Sequence, residues 1–500
     1  MTASLDTRLG ALLRNHPARL ITSHGTVDDA SLAARIEHAA EWLLRSGLSR
    51  VASRLDNGAA WCVLDLALRR IGGVHVPLPT FFSNVQVRHA LATSGAQCVM
   101  TEMQAEMPSG AEALVGFLDD DNLACWRVAP TTEAPVLPPG TACITYTSGT
   151  TGHPKGVCLD AATLMAVAAS LVEASSAVSP RRHLCLMPLS TLLENVAGLY
   201  AALLADAAIA VPSLSEIGYT GASGLHVPTL LQCLHRYQPE SVILVPQLLL
   251  ALVMAAEQGA PLPASLRYIA VGGGRVGPSL LARAQALGLP VFEGYGLTEC
   301  GSVVALNRPG ATRAGSVGKV LPHARVVIVE GEICVQGAKA LGYLGDVSLP
   351  AGPIHTGDLG YLDPDGFLYI TGRRKHVFIT AFGRNVSPEW VESELLAQSA
   401  IAQAVVWGEG RADNVAVLVP RQPGTSDDAL IHAIAEVNAQ LPDYARISRM
   451  VRATAPFSVA EGLLTANGRP RRDAVLARYT DEIESSYRHI PLFSTSGVPA

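Results

Sequence analysis

Tyr146-Thr-Ser-Gly-Thr-Thr-Gly-His-Pro-Lys-Gly156 follows directly on the short apolar run ACITY. Successive small residues, Gly149 and Gly152 among them, let backbone N–H groups turn inward into a concave anion nest. The hydroxyls of Thr147, Ser148, Thr150 and Thr151 add donors, and Lys155 brings a fixed positive charge. The stretch reads as a polyphosphate cradle, although the G-x-x-x-x-G-K-[ST] spacing of a Walker A loop is absent. A strand that delivers such a loop points to an α/β fold, where ligands gather at strand ends.

The surrounding sequence has the matching rhythm. Apolar runs at 74–78, 97–101, 142–147, 183–187, 241–245, 266–271 and 290–292 predict strands, and segments of helical period at 61–70, 162–174, 247–257 and 279–287 predict helices. This alternation predicts layered parallel α/β subdomains. From Gly315 the style changes to short glycine-punctuated strands (RVVIVE, EICVQG, FLYITG), which predict a small β subdomain at about 315–374. After Gly372-Arg-Arg-Lys375 comes a segment with strands and helices of its own. The expected division is an N-terminal domain at 1–374, a smaller α+β C-terminal domain at 375–484, and a mobile Ser/Gly/Pro tail at 485–500.

Composition narrows the class. The 500 residues exceed what one core usually serves. With 16% charged residues and a net charge of −6, there is no electrostatic reason to expect a nucleic-acid partner. Residues 376–500 hold 11 Lys/Arg against 14 Asp/Glu, so even the arginine-rich C-terminal part is acidic. Nine scattered cysteines without a C-x-x-C pair predict buried free thiols in a reducing, cytoplasmic setting. The N-terminus lacks the pattern of a signal peptide, and the hydrophobic run at 196–214 is interrupted by Asp206 and Pro212. That run predicts a buried helix and strand rather than a transmembrane segment. Only four basic residues are lysines: Lys155, Lys319, Lys339 and Lys375.

The glycine-rich stretch resembles the phosphate loop of the acyl-adenylate-forming superfamily, which includes acyl-CoA synthetases, nonribosomal peptide adenylation domains and firefly luciferase. Three further matches occur in the family's order, so the resemblance spans about 140–475. Gly294-Tyr-Gly-Leu-Thr-Glu299 is similar to the adenine and magnesium motif. The resemblance implies that Tyr295, followed by Gly296, stacks on adenine, that Thr298 contacts the α-phosphate and that Glu299 holds Mg²⁺. His355-Thr-Gly-Asp358 is similar to the ribose motif, with the Asp358 carboxylate on the ribose hydroxyls. Tyr369-Ile-Thr-Gly-Arg373-Arg-Lys375 matches the segment that closes the large domain: Arg373 also reaches the ribose, and a hinge lies at about Lys375. Gly272, Gly273 and Gly274 fit either the loop beside adenine and the acyl carboxylate or a plain strand-to-loop turn. Gly383 lies in a loop resembling the one that meets the thiol arm.

The resemblance implies an AMP-forming acid–thiol ligase using ATP and Mg²⁺, with CoA or a phosphopantetheinyl acyl carrier protein as acceptor. Met187-Pro-Leu-Ser-Thr-Leu-Leu-Glu-Asn-Val196 is similar to a segment that long-chain acyl-CoA synthetases write as P-L-x-H-x-x-E, with Thr191 in place of the histidine. Thr191, Leu192, Glu194, Pro246 and Gln247 are therefore expected to line an apolar acid pocket, the alternative being that the leucines are core. An amino-acid substrate would leave its ammonium unpaired there. Closure of a β-hydroxy acid to a β-lactone is a further alternative.

One departure stands out. Leu464-Thr-Ala-Asn-Gly-Arg-Pro-Arg-Arg472 fits the family's L-T-x-x-G-K-x-x-R turn, but Arg469 occupies the position of the adenylation lysine. Arginine keeps the charge and changes its geometry. The two expectations are a ligase altered in its first step and a nucleotide-binding relative with impaired adenylation.

Overall fold

The computed structural model describes residues 13, 15–102, 112–114, 123–128, 135–147, 155–220, 224–345, 352–465, 468–489 and 491–493. Ser148, Gly149, Thr150, Thr151 and Gly152 lie outside the described residues, as do 494–500 of the expected tail.

Two large sheets form the N-terminal part. The nine-stranded sheet runs Lys319–Val320, Ser302–Leu306, Val291–Leu297, Tyr268–Val271, Ser241–Leu244, Arg182–Leu184, Ala208–Ala210, Leu20–Thr22, Gly25–Val27. Its six strands from Val291–Leu297 to Leu20–Thr22 are parallel, with antiparallel strands at both edges. The eight-stranded sheet has Gly342–Tyr343, Lys155–Asp160, Thr141–Thr147, Val74–Pro77 and Arg50–Arg54 in that order before Cys98–Glu102 and the outer pair. The expected α/β class is what the chain adopts.

Parallel strands are covered on both faces, which is why they read as continuous apolar runs. In the nine-stranded sheet Leu184 and Ala210 face one core while Cys185 and Ile209 face another. That second core is shared with the eight-stranded sheet through Val51, Cys143 and Val157, and it holds the helices Asp29–Arg45, Ala59–Arg70 and Ala161–Ser175 between the sheets. Helix starts are local: Asp160 accepts from the Thr163 N–H at 2.6 Å, and Pro246 and Pro278 open Pro246–Glu257 and Pro278–Ala286. The run at 196–214 forms a turn of π-helix at Glu194–Tyr200, the short helix Ala201–Leu204 and the strand Ala208–Ala210. No helix among the described residues is long and apolar enough to cross a membrane. All nine cysteines are buried and unpaired.

One stretch differs from its sequence reading. The strand expected to stop at 292 continues to Leu297 and pairs antiparallel with Ser302–Leu306, with a bulge between Tyr295 and Gly296. Glycine makes the approach possible: a Cβ on Gly296 would sit 1.7 Å from the Ser302 carbonyl oxygen.

The smaller elements follow. Ala324–Val329, Glu332–Gly337, Ile354–Leu362 and Leu368–Arg373 form an antiparallel four-stranded sheet. The C-terminal sheet is Ile401–Trp407, Asn414–Pro420, Ile447–Arg452, with Pro388–Leu396 and Asp427–Asn438 packed on one face. Val475, Tyr479 and Ile483, on the helices Arg472–Arg478 and Thr480–Ser486 and the joint between them, cover the other face. The expectation of a mobile segment from 485 needs correction: Phe493 is buried in the C-terminal core, and the Leu492 N–H donates to the Ser448 carbonyl at 2.9 Å. Phe493 thus anchors the start of the stretch whose composition reads as a tail.

Candidate active site

Strand ends bring the motifs together. Thr147 and Lys155 are directly paired at the mouths of their antiparallel strands, and the Thr147 hydroxyl donates to the Lys155 carbonyl at 3.4 Å. The strand Val291–Leu297 carries Tyr295 and ends in the single 3₁₀ turn Thr298–Cys300 that holds Thr298 and Glu299. The neighbouring strand Tyr268–Val271 ends in Gly272-Gly273-Gly274, where Gly273 has φ +76°. From the small β sheet, paired strands present Asp358 opposite Arg373.

Asp358 is nearly buried and is gripped from two sides. Its Oδ2 accepts from the Tyr295 hydroxyl at 2.7 Å and its Oδ1 from Arg373 Nε at 2.7 Å. Each carboxylate oxygen keeps a further lone pair, so the group still has capacity for hydroxyl donors. Burial, reinforced by the Asp358 charge, lifts the Tyr295 phenol well above its usual range, so it acts as donor. For Arg373 burial pulls down, but Asp358 outweighs it and the net shift is upward. Burial and the like charge of Arg373 both lower Lys375.

The C-terminal domain reaches into the same place. The turn containing Arg469 is closed by the Thr465 N–H to the Arg469 carbonyl at 2.8 Å and the Arg469 N–H to the Thr465 hydroxyl at 3.1 Å. Its guanidinium then donates through Nη2 to the Gly273 carbonyl. Arg469 retains accessible surface yet sits in a cleft dense with protein, and burial plus the Arg373 charge lower its pKa against the pull of Asp358. It remains a cation. Arg283 makes a second tie between domains, Nη1 to the Ala397 carbonyl at 2.6 Å.

Around Glu299 the arrangement is different. Its Oε1 accepts from the Tyr343 hydroxyl at 3.0 Å, and no salt bridge to it occurs among the described residues. A hard oxygen donor held by a neutral phenol, with its charge uncancelled, fits a divalent cation such as Mg²⁺. Tyr343 escaped the sequence reading because it lies 44 residues from Glu299 in no motif.

The expected acid pocket is partly rearranged. Leu192 belongs to the core between the sheets, and Glu194 is fully buried, its Oε1 on His183 Nε2 at 2.9 Å and its Oε2 on the Met187 N–H at 3.0 Å. Thr191 turns its hydroxyl to the Pro188 carbonyl at 2.6 Å. Helix begins at this point, so one residue's step rotates the side chain by about 100°. Leu193 is the leucine near the glycine loop, 3.9 Å from where a Gly273 Cβ would lie, with Val245 at 3.5 Å; Pro246 lies 3.5 Å from the Gly274 position. Gln247 is exposed at the start of its helix. Gly383, with φ +70°, is not brought to this cluster: it lies in an exposed turn whose neighbour Ala381 bonds Arg411 of its own domain.

A family profile described as AMP-binding enzyme matches residues 14–344, and one described as AMP-binding enzyme C-terminal domain matches 375–490. A long-chain-fatty-acid–CoA ligase of Mycobacterium bovis is 28% identical over 76% of this chain and 75% of its own length. A 2-succinylbenzoate–CoA ligase of Bacillus subtilis is 30% identical over 78% and 81%. The solved o-succinylbenzoate CoA synthetase from Bacillus subtilis in complex with its acyl-adenylate intermediate superposes with TM-score 0.73 at 26% identity, covering 93% of this chain and 97% of that one. The chain belongs to the AMP-binding enzymes, the acyl-adenylate-forming superfamily.

Proposed function

We propose that this enzyme activates a fatty or other apolar carboxylic acid with ATP and transfers the acyl group to the thiol of CoA. In the first step a carboxylate oxygen bonds to the α-phosphorus, the bond to the β-phosphate bridge breaks, and pyrophosphate leaves. In the second a thiol sulfur bonds to the acyl carbon, the mixed-anhydride C–O bond breaks, AMP leaves, and the thiol proton passes to solvent. Mg²⁺, held by Glu299, would neutralise charge on the polyphosphate. Lys155 supplies a cation to the leaving group, Thr298 a hydroxyl toward the α-phosphate, and Asp358 with Arg373 an anchor for the ribose.

The observation that carries this reading is the reach of Arg469 from the C-terminal domain to Gly273, beside Asp358 and Arg373. It adds a cation at the junction of the nucleotide groups and the apolar wall of Leu193, Val245 and Pro246, where a carboxylate and an α-phosphate have to meet. An apolar acid is favoured because Glu194, the acidic residue of this segment, is engaged by His183 and Met187 and offers an ammonium nothing. The exposed Gly383 turn and the engaged Arg469 together suit a domain arrangement for adenylation, with rotation about Lys375 needed before thiol attack.

The substitution of arginine for lysine favours one second reading, a nucleotide-binding relative with impaired adenylation. Pyrophosphate release over a panel of fatty, aromatic and amino acids, with CoA, a holo carrier protein or neither, separates the two. Turnover with apolar acids and CoA is expected. ATP binding without release of pyrophosphate for any acid would sink the ligase reading, and turnover confined to the carrier would move the acceptor.

A further inference from the structure

Tyr343 sits in the two-residue edge strand Gly342–Tyr343, opposite Val157 of the strand that begins with Lys155. Its place is fixed by backbone. The N–H of Leu341 donates to the Cys158 carbonyl and that of Leu344 to the Gly156 carbonyl, both at 2.8 Å, while the Ala340 N–H reaches the Glu299 carbonyl at 2.7 Å. From this position the phenol donates to Glu299 Oε1 at 3.0 Å, and the Lys155 ammonium lies 5.8 Å from the ring centroid.

Lys155 and Glu299 thus both contact one side chain, the ammonium over its ring and the carboxylate at its hydroxyl, and no ion pair between them occurs among the described residues. A flexible lysine and a carboxylate that share a neighbour gain by forming an ion pair wherever they can meet, unless something stands between them. Such a pair would cancel the two charges that a polyphosphate and its cation require. The Tyr343 phenol is the donor in its hydrogen bond to Glu299 and holds that carboxylate without cancelling its charge. Its ring face offers the ammonium a weaker, easily exchanged partner.

We infer that Tyr343 is a positioning residue that keeps Lys155 and Glu299 apart, the first by its ring and the second by its hydroxyl, so that both stay available to Mg²⁺·ATP. This rests on the proposed reading of the site as one for Mg²⁺·ATP. The roles are separable: Tyr343→Phe removes only the hydroxyl, and Tyr343→Leu removes both contacts.

Calorimetry on the full chain tests it, with ATP titrated at a series of Mg²⁺ concentrations and AMP titrated alone. AMP carries neither the β,γ-phosphates nor the cation, so its affinity reports the fold and the nucleoside site. Loss of a hydrogen bond to a charged group is expected to weaken Mg²⁺·ATP binding about tenfold in Tyr343→Phe. Tyr343→Leu should weaken it further, and both should raise the Mg²⁺ concentration needed, with AMP affinity held within about twofold. Equal losses for ATP and AMP, or none for either, would overturn the role given to Tyr343. A wild-type chain that binds neither nucleotide would instead overturn the site reading itself.

Discussion

The Arg469 guanidinium donates to the carbonyl of Gly273, joining the C-terminal turn to the glycine loop across the cleft between domains. An arginine thereby holds a position where a lysine ammonium would present a compact point charge. Removing an aligned cation from a developing charge costs about 10²–10³ in rate. Arg469→Ala is therefore expected to slow ATP–pyrophosphate exchange by that factor, while thioester formation from supplied acyl-adenylate changes little. Arg469→Lys should stay within about tenfold of wild type in the exchange assay. Equal loss in both half-reactions would show that Arg469 serves the fold rather than adenylation.

Asp358 joins Tyr295 and Arg373, so its removal strikes the proposed nucleotide site from two sides. Asp358→Asn keeps the shape and loses the charge that receives Arg373. A charge-assisted hydrogen bond contributes about 1.5–3 kcal/mol, which corresponds to about ten- to a hundredfold in AMP affinity. Tyr295→Phe should cost less, since a neutral donor is lost. A lowered melting temperature with unchanged AMP affinity in calorimetry would reduce Asp358 to a structural residue.

How much of this was legible in the sequence depends on what made each feature. The strands at 142–147 and 241–245 and the helix at 247–257 were readable because burial on both faces writes itself as unbroken apolar runs. The motif segments around Tyr295, Asp358 and Arg373 were readable because each has a fixed local spacing on or beside a strand. Leu193 and Tyr343 were not: their roles come from helix phase and from an edge strand arriving from a distant part of the chain. Asp65 and Arg69 were also hidden. They sit fully buried inside the helix Ala59–Arg70, where Asp65 takes His75 Nδ1 at 2.7 Å and the Tyr200 hydroxyl at 2.6 Å. Nothing in a helical pattern announces a buried polar pair, because its partners come from other elements.

The Glu194–His183 pair presses against a glycine. A Cβ on Gly198 would lie 2.1 Å from Glu194 Oε1 and 3.0 Å from His183 Nε2. Gly198→Ala must displace the carboxylate, and overpacking of this kind costs about 1–3 kcal/mol. The urea midpoint should fall accordingly. Because Glu194 also holds the Met187 N–H, the loop of 187–194 should loosen with it and raise KM for the acid more than KM for ATP. An unchanged midpoint would mean that the helix yields locally at no cost.

Glu293 lies two residues before Tyr295 on the same strand and is 8% exposed. Burial drives its carboxyl up to about 7, against the Val276 N–H and the Arg275 guanidinium, which favour the charged form too weakly to prevail. Arg275 is itself lowered by burial, and its Nη1 is directed to the Ile370 carbonyl at 3.1 Å, which limits what it offers Glu293. The sign follows from proton linkage. Between pH 4.5 and about 7 the folded chain holds a proton that the unfolded chain has released, so this group's contribution to stability falls as pH rises through that window and levels off above it. The full difference is on the order of 3 kcal/mol. Glu293→Gln removes the titration. Its stability relative to wild type should therefore grow from pH 4.5 to 7 and then stay constant, read from urea unfolding at each pH. A difference that is flat across the window, or that shrinks with rising pH, would show that Glu293 is charged in the folded chain and paired more strongly with Arg275 than its burial allows.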